Sequence, residues 1–409
     1  MELISLSLPD HPFHDRPGVA ALVDALGAGE ARFVGGCVRD ALLGTPVADI
    51  DMATAHRPEE VMRRLRSAGI KVVPTGLAHG TVTAIAAGTV VEVTTLRRDV
   101  STDGRHAVVE FASEWRDDAA RRDFTMNALY ADPATGAISD WFGGLADLGA
   151  GRVRFIGDPL QRIAEDHLRI LRFFRFHARF GDAIDEAGLD ACSTRANDLM
   201  ALSRERIAGE LLKLLVAPRA VSVMALMIER GILAAVLPEI DSEGTVRFAG
   251  LAAAEAAGGI APDWIRRLAA LVPAASAEAV GARLKLSNTQ RKRLCAATCG
   301  AGSEGPLALG YRVGVKGAVD RLLLTGADVG PLAAWTPPRL PLSGGDLVAR
   351  GLSKGPVVAA ALRAVETRWI AAGFPDAAGT AAIADEVLGQ LVSEASTSAQ
   401  ASSASSGRA

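Results

Sequence analysis

The sequence predicts an α+β region in its N-terminal part and a longer all-α region after it. Between residues 30 and 140, short runs rich in β-branched residues alternate with segments of helical periodicity, which indicates a mixed sheet with helices. From about residue 157 to residue 300, apolar residues recur at helical spacing and β-branched runs are rare. A chain of 409 residues is also long enough for two or more domains.

The N-terminal elements follow one another closely. Residues 1–28 are predicted to form a lead-in helix, because apolar residues recur at helical spacing at Val19, Leu22, Val23 and Leu26. After it the sequence predicts a strand at 32–34 that ends in two glycines, a helix at 38–43, a strand at 47–53, a helix at 58–68 opened by Pro58, and β-rich segments at 70–74, 80–86 and 89–96.

Composition limits the class of protein. Apolar residues make up 49% of the chain and charged residues 22%, which is typical of a globular protein with a sizeable core. No run approaches the roughly 18 apolar residues that a membrane span needs, and the first residues lack the basic region of a signal peptide. We therefore expect a cytoplasmic protein without membrane segments. The four cysteines are scattered without metal-binding spacing and are expected to be reduced.

Charge and composition change along the chain. The net charge of −3 argues weakly against a general nucleic-acid binder, but residues 152–179 carry seven arginines against three acids. From about Ser393 the sequence is rich in Ser and Ala and has no large apolar side chains to bury. We therefore expect a C-terminal tail, residues 376–409, that is largely disordered.

Two acids in the predicted strand at 47–53 are candidates for catalysis and metal binding. Asp49 and Asp51 are alternate residues of a strand, so both side chains project from one face. Two carboxylates together with substrate phosphates are how Mg²⁺ is usually held. A solvated strand end would have the same pattern. Glu92 completes an acidic cluster if its strand neighbours that of Asp51, and is otherwise a solvent-facing residue.

The two glycines after the first strand suggest a phosphate cradle. Gly35 and Gly36 allow close backbone approach and precede a helix, whose first amides can bind phosphate. Arg39, on the first turn of that helix, can add positive charge to the same triphosphate. An ordinary tight strand-to-helix turn would look the same.

A dense polar stretch at 121–128 supplies further nucleotide-binding candidates. Arg122 can reach phosphates, Asp123 can accept a hydrogen bond from a ribose hydroxyl, and Asn127 can orient either of them. Alternatively, Asp123 caps the start of a helix.

A second candidate surface lies between residues 158 and 176. On a continuous helix, Arg162, Asp166, Arg169 and Arg172 share one face, and Arg175 extends it. Asp166 can accept from the exocyclic amine of C or A, and Arg169 can donate to the neighbouring acceptors of the base edge. A salt-bridged surface helix is the plainer interpretation.

Together these segments resemble one known family. Five segments resemble, in order, the motifs of the class II tRNA nucleotidyltransferases and bacterial poly(A) polymerases. They are GGCVRD with DID, RRDFTMNA, GDP with RI, EDHLR, and Ser203–Arg206 with Glu210-Leu211. They span residues 35–212. The segment 98–113 resembles the family's flexible loop, which is linked to the switch from C to A addition.

The resemblance implies a fold and a site. The fold would be a head related to DNA polymerase β at 29–150, followed by a helical neck at 151–230 and a helical body and tail at 231–375. Asp49 and Asp51 would hold catalytic Mg²⁺, Gly36 and Arg39 the triphosphate, and Arg122 and Asp123 the phosphate or ribose. Asp166 and Arg169 would act as an amino-acid template for the base, supported by Arg172 and Arg175.

The resemblance also implies an activity. The expected reaction is template-independent addition of CCA to the 3′ end of tRNA from CTP and ATP. Poly(A) polymerase, an enzyme that adds only CC or only A, and a non-catalytic RNA-binding protein with this fold are the alternatives.

RNA contacts are predicted in the C-terminal half. Lys354 lies in a hairpin at 351–356 whose backbone amides and charge could touch RNA phosphates, although a plain helix–helix turn fits equally. Arg291, Lys292 and Arg293 form a modest basic spot. No histidine follows His177, so the HD phosphohydrolase site that some relatives carry near the C-terminus is not expected.

Overall fold

The computed structural model describes residues 7–8, 13, 15–102 and 107–406. The chain forms two compact units. The first comprises Met1–Phe248 with Leu271–Ser287, and the second comprises Ala249–Ala270 with Asn288–Ala409. The first unit thus contains both the predicted head and the predicted neck.

A seven-stranded mixed sheet forms the core of the N-terminal part. Its strands are β1 (Ala31–Val34), β2 (Ile50–Thr54), β3 (Lys71–Gly76), β4 (Thr81–Ala86), β5 (Thr89–Thr95), β8 (Tyr130–Ala131) and β9 (Ile138–Ser139). Their order is β3-β4-β5-β2-β1-β8-β9, and β2 and β5 are parallel. Strands β6 (Arg97–Thr102) and β7 (Ala107–Phe111) form a separate hairpin in the segment that resembles the flexible loop, whose residues 103–106 lie outside the described part.

Helices flank the sheet and then replace it, as the sequence predicts. Those that belong wholly to the first unit are α1 (Val19–Leu26), α2 (Gly36–Leu42), α3 (Pro58–Ser67), α4 (Trp115–Ala120), α5 (Gly144–Gly149), α6 (Pro159–Glu165), α7 (Arg169–Phe180), α8 (Glu186–Thr194), α9 (Arg204–Leu215), α10 (Ala220–Glu229) and α13 (Ala277–Arg283). Helices α11 (Ser242–Ala257) and α12 (Trp264–Leu271) run across the unit boundaries.

The described residues of the second unit form helices joined by turns and loops, without strands. Its remaining helices are α14 (Asn288–Ala297), α15 (Pro306–Val313), α16 (Val315–Leu324), α17 (Gly344–Ala349), α18 (Pro356–Ala371) and α19 (Ala377–Ser406). Among the helices that the structure describes, none is both long enough and apolar enough to cross a membrane.

An aromatic stack joins Phe124 and Phe155 to helix α7. The ring of Phe124 lies 4.9 Å from that of Phe155 and 5.5 Å from that of Phe176, measured between centroids. Phe155 in turn stacks on Phe173 at 5.6 Å with nearly parallel planes. Because Phe124, Phe155 and Phe173 are fully buried, this stack anchors the helix that carries several of the predicted site residues.

Three sequence-based expectations differ from the structure. The predicted lead-in helix is confined to Val19–Leu26 within the described residues, and several residues before it lie outside them. Strand β2 begins at Ile50, where its ladder with β5 starts, and its ladder with β1 begins only at Met52, so Asp49 precedes the strand. The stretch that carries Arg162 and Arg175 is two helices rather than one, with a break at 166–168.

The expectation of a largely disordered tail at 376–409 is wrong over much of its length. Helix α19 occupies Ala377–Ser406. Its residues Ala384 and Val387 are buried in a cluster with Leu347, Ala361 and Val365 of α17 and α18. Apolar residues therefore do recur at helical spacing before Ser393, and this face packs on α18.

Candidate active site

The parallel pairing of β2 and β5 brings two of the predicted acids together. Asp51 is directly opposite Glu92 in the ladder, so both side chains lie on the same face of adjacent strands. Asp49 lies two residues before Asp51 in the irregular segment that leads into β2. All three acids line one polar cavity of about 610 Å³. Glu92 was expected to join the acidic cluster only if its strand neighboured that of Asp51, and the two strands are indeed adjacent.

The surroundings of Asp51 change its protonation. Burial, followed by the negative charges of Glu92 and Asp49, raises the pKa of Asp51 to about 6, although Arg122 opposes the shift. Carboxylates that repel one another in this way provide the hard oxygen ligands that a divalent cation prefers. Among the described residues, however, no three His, Cys, Asp or Glu side chains are grouped closely enough to hold a metal ion by themselves. The donor set fits a cation that takes its remaining ligands from a bound substrate.

The turn between β1 and α2 lies beside Arg122. Gly35 has a φ of 72°, a left-handed conformation that favours glycine, and its amide donates to the carbonyl of Leu129 at 3.1 Å. A Cβ atom on Gly35 would lie 3.2 Å from Nη1 of Arg122. Arg122 is held by Asp118 at 3.2 Å and by the hydroxyl of Tyr130 at 3.1 Å. The glycine turn and Arg122 thus face each other, as a shared phosphate site requires.

Arg39 lies in a different environment from the one predicted. Its side chain is 5% exposed, donates to Oδ1 of Asn127 at 2.5 Å and pairs with Asp40 at 2.7 Å. The guanidinium also lies over the rings of Phe180 and Phe176, at 4.5 and 5.1 Å from their centroids. In this structure Arg39 therefore fixes Asn127 rather than presenting a free charge to a phosphate.

Asp123 is buried and fully engaged. Its Oδ1 accepts from Nδ2 of Asn127 and from the amide of Phe124, both at 2.9 Å, and its Oδ2 accepts from Nε of Arg172 at 2.7 Å. Burial alone would raise the pKa of Asp123, but Arg172 and Asn127 lower it to about 2. Both carboxylate oxygens are thus occupied by protein donors, which differs from the predicted acceptor of a ribose hydroxyl.

Glu210 continues this network and was not among the predicted site residues. It forms an ion pair with Arg175 and lies 4.0 Å from Arg172. A series of polar contacts therefore runs from Arg39 in α2 through Asn127, Asp123, Arg172 and Glu210 to Arg175 in α7. The sequence signal for Glu210 is its place in the Ser203–Leu211 motif, but the sequence does not show that Arg175 is its partner.

Asp166 lies outside the helix that begins at Arg169. Helix α6 ends at Glu165, and Asp166 has an extended backbone with φ −149°, so its side chain leaves the predicted shared face. Arg169 is buried and donates to Glu165 at 2.7 Å and to the carbonyls of Arg162 and Arg121 at 2.9 Å each. The predicted continuous helical face with Asp166 and Arg169 is therefore not formed, and their joint role in reading the base stays a prediction.

Arg206 takes the place beside Asp166. Its Nη2 lies 3.1 and 3.0 Å from the two carboxylate oxygens, and the amide of Leu168 also donates to Asp166 at 3.1 Å. Ser203 caps α9 by accepting from the amide of Arg206, which places this arginine on the first turn. Sequence reasoning missed Arg206 as a site residue because its partner lies 40 positions away.

Comparison with known proteins identifies the family. Residues 31–154 match the family described as "Poly A polymerase head domain", and residues 183–243 match "Probable RNA and SrmB- binding site of polymerase A". A relative from Mus musculus, named "CCA tRNA nucleotidyltransferase 1, mitochondrial", is 34% identical over 371 residues, which cover 84% of this chain and 84% of that protein. The chain belongs to the CCA tRNA nucleotidyltransferase family.

Two further relatives agree. The "CCA-adding enzyme" of Anoxybacillus flavithermus is 40% identical over 216 residues, which cover 52% of this chain and 53% of that protein. The crystal structure of the Bacillus stearothermophilus CCA-adding enzyme in complex with CTP superposes with a TM-score of 0.64 at 28% identity, and the match covers 87% of this chain and 92% of that one. Membership of the CCA tRNA nucleotidyltransferase family implies use of a divalent metal ion.

The predicted RNA-binding residues of this nucleotidyltransferase differ in accessibility. Lys354, between α17 and α18, and Lys292 are exposed, and Arg291 is half-buried. Arg293 instead donates to both carboxylate oxygens of the fully buried Asp320, at 2.8 and 2.9 Å, and pairs with Asp263 at 2.9 Å. Arg293 therefore joins helices of the second unit, and its contact with RNA stays a prediction.

Proposed function

We propose that this protein adds C, C and A in turn to the 3′ end of tRNA without a nucleic-acid template, using CTP and ATP and releasing pyrophosphate. The observation that carries this proposal is the register of β2 and β5, which puts Asp51 beside Glu92 in a polar cavity with Asp49. Membership of the CCA tRNA nucleotidyltransferase family supports tRNA, CTP and ATP as the substrates.

Mg²⁺ is the proposed ion, with Asp49 and Asp51 as its protein ligands and Glu92 beside them. Carboxylate oxygens fit Mg²⁺, which usually takes one or two carboxylates and completes its shell with substrate phosphates and water. When bound, the ion would supply positive charge at the reacting phosphate and make the attacking 3′-hydroxyl more acidic.

The remaining side chains are proposed to bind and orient the substrates. The turn at Gly35 and Gly36, together with Arg122, is suited to the triphosphate, since it combines close backbone approach with a positive charge. Asp166, oriented by Arg206, is suited to accept from the exocyclic amine that C and A share and that U lacks. Asp123, Asn127 and Arg172 support this site from within, through the hydrogen bonds that join them.

The proposal extends to organisation and location. Residues 29–150 would form the catalytic head, 151–230 the neck, and 231–375 a body and tail that bind tRNA, with Lys354, Lys292 and Arg291 as contacts to the RNA backbone. We also propose that the protein acts in the cytoplasm.

Incubation of the purified protein with a tRNA transcript that lacks CCA, and with each labelled nucleoside triphosphate, tests the proposal. Incorporation of two C residues and one A, followed by a stop, is the expected result. Long A-tracts would instead indicate a poly(A) polymerase, and tRNA binding without incorporation would indicate a non-catalytic RNA-binding protein. Asp51→Asn is the matched control, expected to abolish incorporation while leaving tRNA affinity nearly unchanged.

A further inference from the structure

The segment before α1 reaches the acidic cavity through Arg16. This arginine belongs to none of the sequence motifs and precedes β1 by fifteen positions. Its half-buried side chain nevertheless lines the cavity together with Asp49, Asp51 and Glu92. Among the described residues that line the cavity, Arg16 is the one basic side chain.

Arg16 holds the backbone immediately before Asp49. Its Nη1 donates to the carbonyl of Ala48 at 3.3 Å, and its Nη2 donates to the carbonyl of Val47. One guanidinium can make such a pair of bonds because its donors form a rigid fork. Residues 45–49 have no regular secondary structure, so ladder hydrogen bonds do not fix the position of Asp49.

Arg16 is itself firmly placed. On one side, Phe13 is fully buried and its ring meets that of Phe33 edge-on at 4.7 Å. On the other side, Gly18 has a φ of 84° and lies so close to Ala86 that a Cβ atom would come within 2.5 Å of its carbonyl carbon. The amide of Arg16 donates to Phe13 at 3.2 Å, and the amide of Val19 donates to Arg16 at 3.1 Å. The segment is thus fixed at both ends, and Arg16 reaches its partners from a rigid base.

We propose that Arg16 is a positioning residue of the catalytic centre. By holding the carbonyls of Val47 and Ala48, it fixes the carboxylate of Asp49 relative to that of Asp51, and so sets how the two acids share a cation with the bound nucleotide. This proposal rests on the proposed function, because it treats the acidic cavity as the metal–nucleotide site.

Binding of Mn²⁺ to the full-length protein tests the proposal without relying on turnover. Titrations followed by electron paramagnetic resonance, in the presence of cytidine 5′-(α,β-methylene)triphosphate, would compare wild type, Arg16→Ala and Arg16→Lys. Arg16→Ala is expected to weaken Mn²⁺ binding about tenfold, the usual effect of removing a group that orients metal ligands. Arg16→Lys should recover only part of this loss, because an ammonium lacks the planar fork. Arg63→Ala is the control, since Arg63 is exposed and pairs with Glu60 on α3.

A parallel assay of C addition separates this proposal from the function. The Mn²⁺ concentration needed for half-maximal rate should rise about tenfold in Arg16→Ala, while the rate at saturating Mn²⁺ recovers much of the wild-type value. Wild-type Mn²⁺ affinity in both Arg16 variants would overturn the role of Arg16 and leave the proposed function standing. If the wild type adds no nucleotide to tRNA but Arg16→Ala still binds Mn²⁺ more weakly than wild type, the proposed function is overturned and the role of Arg16 stands. If Arg16→Ala melts early, the comparison is decided by Arg16→Lys, which keeps the charge and the aliphatic stem.

Discussion

The fold raises the pKa of Asp51, whereas it lowers the pKa of the buried Asp123. Burial and the charges of Glu92 and Asp49 raise the pKa of Asp51 from 3.8 to about 6. The folded protein therefore binds more protons than the unfolded chain between these two values, so stability falls as pH rises through this window. Above it, the ionised Asp51 costs the fold some stability in the absence of a cation.

Asp51→Asn is therefore expected to raise the melting temperature at pH 7.5, without added metal, because the amide carries no charge. The gain should shrink at pH 5, where wild-type Asp51 takes up a proton. Thermal melts at the two pH values in the presence of EDTA measure this. Asp24→Asn, the same charge change on the exposed face of α1, is the control and should show no such pH dependence. An equal gain at both pH values would contradict the raised pKa.

Replacing Arg206 is expected to change nucleotide selectivity, whereas replacing Arg169 is expected to change stability. Arg206→Ala removes the partner that orients Asp166 and should lower the preference for CTP and ATP over UTP and GTP by about tenfold, the size of one lost charged hydrogen bond. Arg169→Ala removes a buried side chain that donates to three groups and should chiefly lower the melting temperature. Incorporation assays with each triphosphate, alongside thermal melts, distinguish the two effects. Loss of selectivity in Arg169→Ala with unchanged stability would support the pair predicted from sequence.

At the scale of elements, the connection between β1 and α2 combines two constraints in adjacent glycines. Gly35 needs a left-handed conformation and faces Arg122, whereas a Cβ on Gly36 would lie at an ordinary 3.7 Å from Arg39. The fold therefore requires glycine at position 35, whereas the space around position 36 would accommodate a Cβ atom.

Gly35→Ala is expected to lower the melting temperature, because the strained backbone costs about 1–3 kcal/mol. Gly36→Ala should leave the melting temperature unchanged and yet weaken CTP binding, if a phosphate approaches the backbone there. Differential scanning fluorimetry and calorimetric titration with CTP measure the two quantities. Unchanged CTP affinity in Gly36→Ala would argue against a phosphate cradle at this turn.

The whole molecule has two units, and the second has its own buried charges. Asp320 is fully buried and accepts from Arg293, and it also pairs with the buried Arg266 at 3.4 Å. Glu255 engages Arg266 and Arg267, both at 2.8 Å. Removing one carboxylate would leave buried guanidinium groups without compensation.

Asp320→Ala is expected to destabilise the protein by about 3–5 kcal/mol, as is usual when one partner of a buried ion pair is lost. Because the acidic cavity lies wholly in the first unit, binding of Mn²⁺ with nucleotide should persist at temperatures below the transition. Urea denaturation followed by circular dichroism gives the first quantity, and paramagnetic resonance the second. Glu386→Ala, at an exposed and distant ion pair, is the control and should change stability by less than about 0.5 kcal/mol. Stability like that of wild type in Asp320→Ala would show that the buried pairs contribute little.

Local patterns in the sequence determined much of this protein. Periodicity of apolar residues predicted a mixed sheet followed by helices, and Pro58 marked the start of α3 where the structure has it. The motif residues also identified the acids at 49 and 51 and the conditional partner Glu92. These features depend on neighbours within a few residues, which is the range over which backbone propensity and side-chain spacing act.

Only the tertiary structure decided which partner each charged side chain takes. The parallel pairing of β2 with β5 made Glu92 a neighbour of Asp51, and the break after α6 lets Asp166 form an ion pair with Arg206. An arginine in a sequence fits a phosphate, a base edge or a buried carboxylate equally well, because its donors match any of them. Arg16 and Arg293 found their partners across 31 and 27 positions, through packing that no local pattern encodes.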